Sequence, residues 1–118
     1  MIYKIFTEMP FSQKAHKLAI EVFNLTINLP RSEDYGLTSQ IRKSYNGAAA
    51  CKSEGFGRST KKDKSNFYII SRGSSFETQN HFLYGNKVGY IDSIIIERLF
   101  QEYNELIYEL NKLIKSLE

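Results

Sequence analysis

The sequence contains one cysteine and two prolines among 118 residues. A lone cysteine, Cys51, excludes an internal disulfide and fits a reducing compartment. Both prolines, Pro10 and Pro30, lie in the first quarter of the chain. The rest of the chain therefore has no residue that interrupts a helix by removing a backbone donor. This scarcity of helix breakers favours long helices.

Long apolar runs are also absent. The longest consists of the three isoleucines at 94–96, far short of the ~20 apolar residues that a membrane-spanning helix needs. The first residues contain no apolar run of signal-peptide length. We therefore expect a cytoplasmic protein with no membrane contact, folded as one domain over residues 1–118 with a single core.

Residue patterns that carry catalysis or metal binding are missing as well. Neither His16 nor His81 follows a glutamate by three residues, as the di-iron sites of helical bundles require. Glu77 and His81 stand four apart, a spacing that fits a local hydrogen bond. The serines and acidic residues form no pattern typical of a catalytic triad. We expect no enzyme activity, no cofactor and no metal site.

Apolar residues recur at alternating three- and four-residue spacings in four segments. This period predicts helices over residues 11–29, 37–54, 61–87 and 92–117. Short polar connections between them favour an all-α fold, an antiparallel up-down-up-down four-helix bundle.

Two of these helices carry more apolar surface than one helix–helix seam can cover. The first has one face formed by Phe11, Ala15, Leu18, Val22, Leu25 and Leu29. Its opposite side carries Ile20, Phe23 and Ile27. In the fourth helix, Phe100, Ile107 and Ile114 widen the main stripe formed by Ile96, Leu99, Tyr103, Leu106, Leu110, Leu113 and Leu117. Exposed apolar patches of this size usually mark interfaces, so we expect an oligomer interface at Ile20, Phe23 and Ile27.

The third helix divides its apolar residues between two sides. One side presents Ile69, Gly73, Phe76 and Leu83. The other presents Phe67, Ile70, Tyr84 and Val88.

The stretch EGFGRSTKKDK, residues 54–64, joins the second and third helices. Gly55 stands where the C-cap glycine of a helix is expected, and Thr60 with Asp63 fits a capping box. The phosphate-binding glycine motifs are absent and no strand precedes the stretch, so a nucleotide-binding fold is not supported. Its lysines oppose the dipole at the start of a helix, and capping does not explain them.

Positive charge is concentrated around this stretch. Residues 42–72 hold eight basic and two acidic residues, a net charge of +6, whereas residues 92–118 have a net charge of −3. We predict a phosphate-contacting patch at Arg58, Lys61, Lys62 and Lys64, with Arg42, Lys43 and Lys52 as neighbours. The alternative is a solvated basic surface with no ligand.

Glu54 and Glu77 either pair with Arg42 or Arg72, or reach solvent.

Five segments taken in order, QKAHKLAIEVFNLT, YGLTSQIRKS, EGFGRSTKKD, RGSSFETQ and VGYI, resemble the bacterial four-helix-bundle family. This family is also called the 23S rRNA intervening-sequence protein family, and the resemblance covers nearly all of residues 10–117. The segments YNGAAACKS and ETQNH depart from the family pattern.

The resemblance implies an up-down-up-down bundle that assembles as a ring of five copies. Some family members are encoded inside intervening sequences of large-subunit rRNA genes. A related branch supplies the accessory protein of diversity-generating retroelements, which joins a reverse transcriptase and nucleic acid. The family implies no catalytic residue.

Two functions therefore remain open. The first is a non-catalytic homopentamer that binds RNA or DNA through its basic surface, without base specificity. The second is a structural or adaptor oligomer whose partner is a protein.

Overall fold

The computed structural model describes the backbone of residues 10–118 and the side chains from Gln13 onward. In this part of the chain all regular elements are helical and no strand occurs. The α-helices are α1 (Pro10–Ile27), α2 (Leu37–Gly57), α3 (Lys61–Lys87) and α4 (Ser93–Ser116), and a 3₁₀ turn covers Arg31–Glu33. The expected all-α class is confirmed. The side chain of Phe11 lies outside the described residues.

The four helices pack side by side in a body of 43 × 25 × 21 Å. The α2–α3 pair has the most extensive contact, α3 also packs on α4, and α1 packs on α2 and α4. Since α1 and α3 share both neighbours, they occupy opposite corners of the bundle. Their outward faces consequently point in opposite directions.

Helix α4 supplies the largest share of the core. Leu99, Tyr103 and Leu110 are almost completely buried. Ile107 and Ile114, predicted to widen the stripe into an interface, are also buried within the chain. The prediction of a spare apolar face on α4 is therefore wrong, because a helix that packs against both α1 and α3 buries a wider arc than a single seam would.

Helix α3 turns a mostly small and polar face inward. Its buried residues are Tyr68, Ser71, Ser75, Thr78, Gln79, Phe82 and Gly85. The hydroxyls are satisfied across the seam with α2: Ser71 donates to the carbonyl of Ala48 at 2.7 Å, and Thr78 donates to Ser44 Oγ at 2.8 Å. Small side chains let the two helices approach closely, and their hydrogen bonds offset the cost of burying polar groups.

Gly55 does not cap α2. The helix continues through it to Gly57, and Gly55 is buried against α3. A Cβ at this position would stand 2.9 Å from the ring of Tyr68 and 3.1 Å from Cβ of Phe67. The glycine is thus required by close helix–helix approach rather than by a left-handed C-cap conformation.

Local signals do set the other helix ends. The Thr60 hydroxyl accepts a hydrogen bond from the backbone N–H of Asp63 at 3.1 Å and caps α3. Gly89 follows α3 with φ of +88°, a value that favours glycine. The Asp92 carboxylate then caps α4 by accepting from the N–H of Ile94.

Among the helices of residues 10–118, none combines the length and apolarity that a bilayer span requires.

Candidate nucleic-acid interface and exposed apolar faces

The turn between α2 and α3 brings four predicted cations to one end of the bundle. Lys61 and Lys62 occupy the first turn of α3 and are exposed. No carboxylate within residues 13–118 forms an ion pair with either of them. These two ammonium groups, beside the free amides of a helix N-terminus, can both contact an anion.

Lys64 has a structural contact that accounts for its position in the first turn of α3. Its Nζ donates to the carbonyl of Phe56 at 2.6 Å and lies 3.4 Å from that of Gly55. These carbonyls belong to the last turn of α2, where the helix dipole favours a cation. Lys64 therefore caps α2 across the turn, so its charge is not fully available to a ligand.

Arg58 is held on the same turn. It forms an ion pair with Glu54, and its guanidinium carbon lies 4.6 Å from the centroid of the Phe67 ring. The Glu54 side chain is half exposed. Glu54 thus pairs with Arg58, one turn further along α2, rather than with Arg42 or Arg72.

Sequence reasoning missed two further cations at this end. The last turns of α4 carry Lys112 and Lys115, both exposed. Arg72 in α3 donates to Asn111 at 2.7 Å, which brings this part of α4 beside the first half of α3. The up-down order of four helices was sufficient to predict that the end of α4 lies near the start of α3.

The three cations predicted as neighbours on α2 do not extend the patch. Lys43 is exposed, but four turns of α2, roughly 22 Å, separate it from Arg58. Arg42 is half buried; its Nε donates to the Thr26 hydroxyl at 3.0 Å and its guanidinium carbon lies 5.0 Å from the centroid of the Phe23 ring.

Lys52 contradicts the prediction outright, because only 2% of it is exposed. It lines a cavity of about 20 Å³ together with Tyr45, Ser71, Ser75 and Tyr103. This volume has room for a single water. Burial lowers the pKa of Lys52 to about 8. A residue enclosed by all four helices cannot contact a phosphate backbone.

Two helices present apolar faces to solvent. On α1, the predicted residues Ile20, Phe23 and Ile27 are 65%, 44% and 59% exposed. On α3, the apolar residues named from the sequence lie outside the core. Those that are exposed are Ile69, Ile70, Phe76, Leu83, Tyr84 and Val88. We call these sets the α1 face and the α3 face.

Glu77 lies within the α3 face, and its side chain is 59% exposed. It contacts His81 Nε2 at 3.3 Å, the local pair that the four-residue spacing predicts. Among residues 13–118, no three His, Cys, Asp or Glu side chains lie close enough together to hold a metal ion.

Comparison with known proteins identifies the family. The sequence profile of the 23S rRNA-intervening sequence protein family matches residues 7–112. The chain belongs to this family. No curated protein matches the sequence.

A solved structure shares the fold of this chain. It is a protein of unknown function of the S23 ribosomal protein family from Bacteroides thetaiotaomicron VPI-5482. The two structures align with a TM-score of 0.79 over 89% of this chain and 98% of that one, at 18% sequence identity. At this identity the likeness extends to the fold alone.

Proposed function

We propose that this protein is a cytoplasmic, non-catalytic nucleic-acid-binding protein that contacts phosphates through the α2–α3 turn. The observation that carries the proposal is the pair of exposed lysines, Lys61 and Lys62, at the N-terminus of α3 with no carboxylate partner in the described chain. Arg58, paired with Glu54, flanks them, and Lys115 adds charge from α4, where Lys112 pairs with Glu109. Cations beside free helix amides are a favourable arrangement for a phosphate group.

Binding of this kind is expected to tolerate any base sequence. The turn contains no aromatic platform aimed at bases, and a helix end with lysines recognises the charge of the backbone. Each phosphate that a lysine neutralises releases condensed counterions. The affinity should therefore fall with salt by about 0.7 to 0.9 log units per log unit of salt for each contact.

The decisive experiment compares two double variants that lose the same charge. Lys61→Ala with Lys62→Ala removes the proposed contact, while Lys64 is kept because it caps α2. Lys17→Ala with Lys43→Ala removes two exposed cations elsewhere. Fluorescence anisotropy with single-stranded RNA and duplex DNA over a salt series should show weaker binding and a salt slope lower by about 2 for the first variant only.

Equal affinity and equal salt slope in the two variants would contradict the proposed surface. Absence of binding by the wild-type protein near physiological salt would contradict nucleic-acid binding itself.

We further propose that the copies assemble through the α1 and α3 faces. The number of copies, five in a ring, is inferred from the family resemblance. The faces support the assembly because they point in opposite directions, so that the α1 face of one copy can cover the α3 face of the next. Such head-to-tail contacts generate rings when the rotation closes. A ring would gather the basic turns of all copies at one end.

The second candidate function is a structural or adaptor oligomer that binds a protein. The extent of the α3 face favours it, since exposed apolar side chains recur along the outward side of this 27-residue helix from Ile69 to Tyr84. Affinity capture from the native host, with analysis of bound RNA, DNA and protein, separates the two candidates. The adaptor would be favoured if one protein partner were recovered without nucleic acid. That partner should be lost with Ile69→Asp and retained with the double variant of Lys61 and Lys62.

A further inference from the structure

Arg42 and Glu77 place opposite charges beside the two exposed apolar faces. Arg42 adjoins the α1 face: it stacks on Phe23, and its Nε donates to Thr26, which fixes the guanidinium against α1. No carboxylate of residues 13–118 pairs with it. Because Nε is engaged, the terminal nitrogens are left to make a bidentate contact.

Glu77 is the corresponding charge on the α3 face. It is the only acidic residue between Asp63 and Asp92. Its carboxylate contacts only the His81 imidazole within the described chain. A single exposed acid among the apolar residues of a long helix gives that face a defined point of negative charge.

The backbones of Arg42 and Glu77 lie within one helical turn of each other along the bundle. The hydrogen bond between Ser44 and Thr78 fixes α2 against α3. Arg42 precedes Ser44 by two residues and Glu77 precedes Thr78 by one. Because the two helices are antiparallel these offsets add, so at 1.5 Å rise per residue the Cα atoms of Arg42 and Glu77 differ by roughly 5 Å in height.

This small difference in height has a consequence for symmetry. In a closed ring whose axis runs along the bundle, every copy has the same height, so residues that pair between copies must lie within reach of their side chains along the axis. A vertical offset would give an open filament instead. The placement of Arg42 and Glu77 therefore suits a ring in which all bundles run in the same direction.

We propose that Arg42 of one copy forms an ion pair with Glu77 of the next, as the α1 face packs against the α3 face. The inference rests on the assembly proposed above and adds its register and polarity. Hydrophobic contact supplies most of the stabilisation, while the ion pair selects the correct sliding position of one helix against the other. Charge pairs at interfaces act mainly in this way.

Charge reversal with rescue tests the pair. Arg42→Glu and Glu77→Arg each bring like charges together at every junction, and each should weaken association by at least about tenfold. The double variant restores opposite charges and should assemble like the wild type. An equimolar mixture of the two single variants should recover part of the association, because mixed junctions are complementary but a ring of five retains at least one junction between like charges. Light scattering over a concentration series measures all four cases.

Matched controls reverse charges away from the faces. Lys115→Glu changes an exposed cation of α4, and Glu97→Arg changes an exposed acid of the same helix; both should assemble normally. Circular dichroism monitors folding. If Arg42→Glu destabilises α1 by losing its contacts with Thr26 and Phe23, Glu77→Arg still tests the pair, because it leaves those contacts in place.

Two results would overturn the inference, and they differ in what else they affect. If the wild type assembles but the single variants match it, or the double variant and the mixture show no recovery, the ion pair is wrong and the assembly stands. If the wild type is monomeric at micromolar concentration, the proposed assembly fails and the pair with it.

Discussion

At the scale of single residues, Lys52 places an amine in the middle of a helical bundle. Its side chain comes from α2 and is enclosed by alanines of α1, serines of α3 and Tyr103 of α4. Removing the amine from water disfavours its charged form. This desolvation lowers the pKa of Lys52 to about 8.

The lowered pKa makes stability depend on pH. In the unfolded chain a lysine titrates near pH 10.4. Between pH 8 and that value the unfolded state binds more protons than the folded state, so stability rises with pH. Below pH 8 both states are protonated and the folded state retains the cost of the buried charge. Tyr68 and Tyr103 have the opposite effect on stability. Burial raises the pKa of each hydroxyl, so the stability that the neutral tyrosines contribute is lost as pH rises past about 10.

We predict that Lys52→Met raises the free energy of unfolding at pH 7.5, by up to about 3 kcal/mol. It should also remove the increase in stability between pH 7.5 and 9.5. Urea unfolding of variants that also carry Cys51→Ala measures this pH dependence. Cys51 is replaced because burial, and secondarily the charge of Glu54, raises the pKa of its thiol, and titration of the thiol would change stability over the same pH range. The exposed Lys43→Met is the control. A Lys52 variant that keeps the wild-type pH slope would contradict the prediction.

At the scale of elements, the α2–α3 seam depends on small residues at close contacts. Gly55 lies against Tyr68 and Phe67, whereas a Cβ added to Gly47, in the middle of α2, would have only Ser74 Oγ within 4 Å, at 3.6 Å. The two glycines occupy one helix and differ chiefly in the space beside them. They therefore separate the effect of packing from that of helix propensity.

We predict opposite signs for the two alanine substitutions. Gly47→Ala should stabilise the protein by up to about 1 kcal/mol, the difference in helix propensity. Gly55→Ala should destabilise it by about 1 to 3 kcal/mol, because the new methyl group pushes α3 away. Denaturant unfolding of both variants measures the difference. Stabilisation by Gly55→Ala would show that the seam is looser than described.

The seam also explains why α3 exposes its apolar residues. Phe76 and Leu83 resemble core residues in the sequence, yet Ser71 and Thr78 occupy the inward face. Hydroxyls that bond to α2 carbonyls and to one another allow a closer approach than leucines would. The apolar residues of α3 are then left exposed to solvent.

At the scale of the whole molecule, the α1 and α3 faces predict self-association. The wild-type protein should scatter light as an oligomer at micromolar concentration. Ile20→Asp or Phe23→Asp should dissociate it while the helical circular dichroism remains, because both side chains lie outside the core. Tyr108→Asp, at a 62% exposed position of α4, is the matched control and should remain assembled. A wild-type monomer, or equal effects of all three variants, would contradict the interface.

Much of this fold follows from the sequence alone. Spacings of three and four residues marked four helices, and α3 runs over the expected residues 61–87 because Thr60 and Gly89 act through neighbouring backbone atoms. The outward position of Ile20 and Ile27 was also predictable, since a helix cannot turn two opposite faces toward one core. The exposed Lys61 and Lys62 followed from their place in a polar turn.

Tertiary packing decided the rest. Helical periodicity shows which residues share a face, but the neighbouring helices decide which face turns inward. For α3 this was the hydroxyl face, because Ser71 and Thr78 find hydrogen-bond partners on α2. The same packing buried Lys52, drew Lys64 onto the end of α2 and made Gly55 a contact point instead of a cap. Each of these outcomes depends on atoms from another helix, which local sequence patterns do not contain.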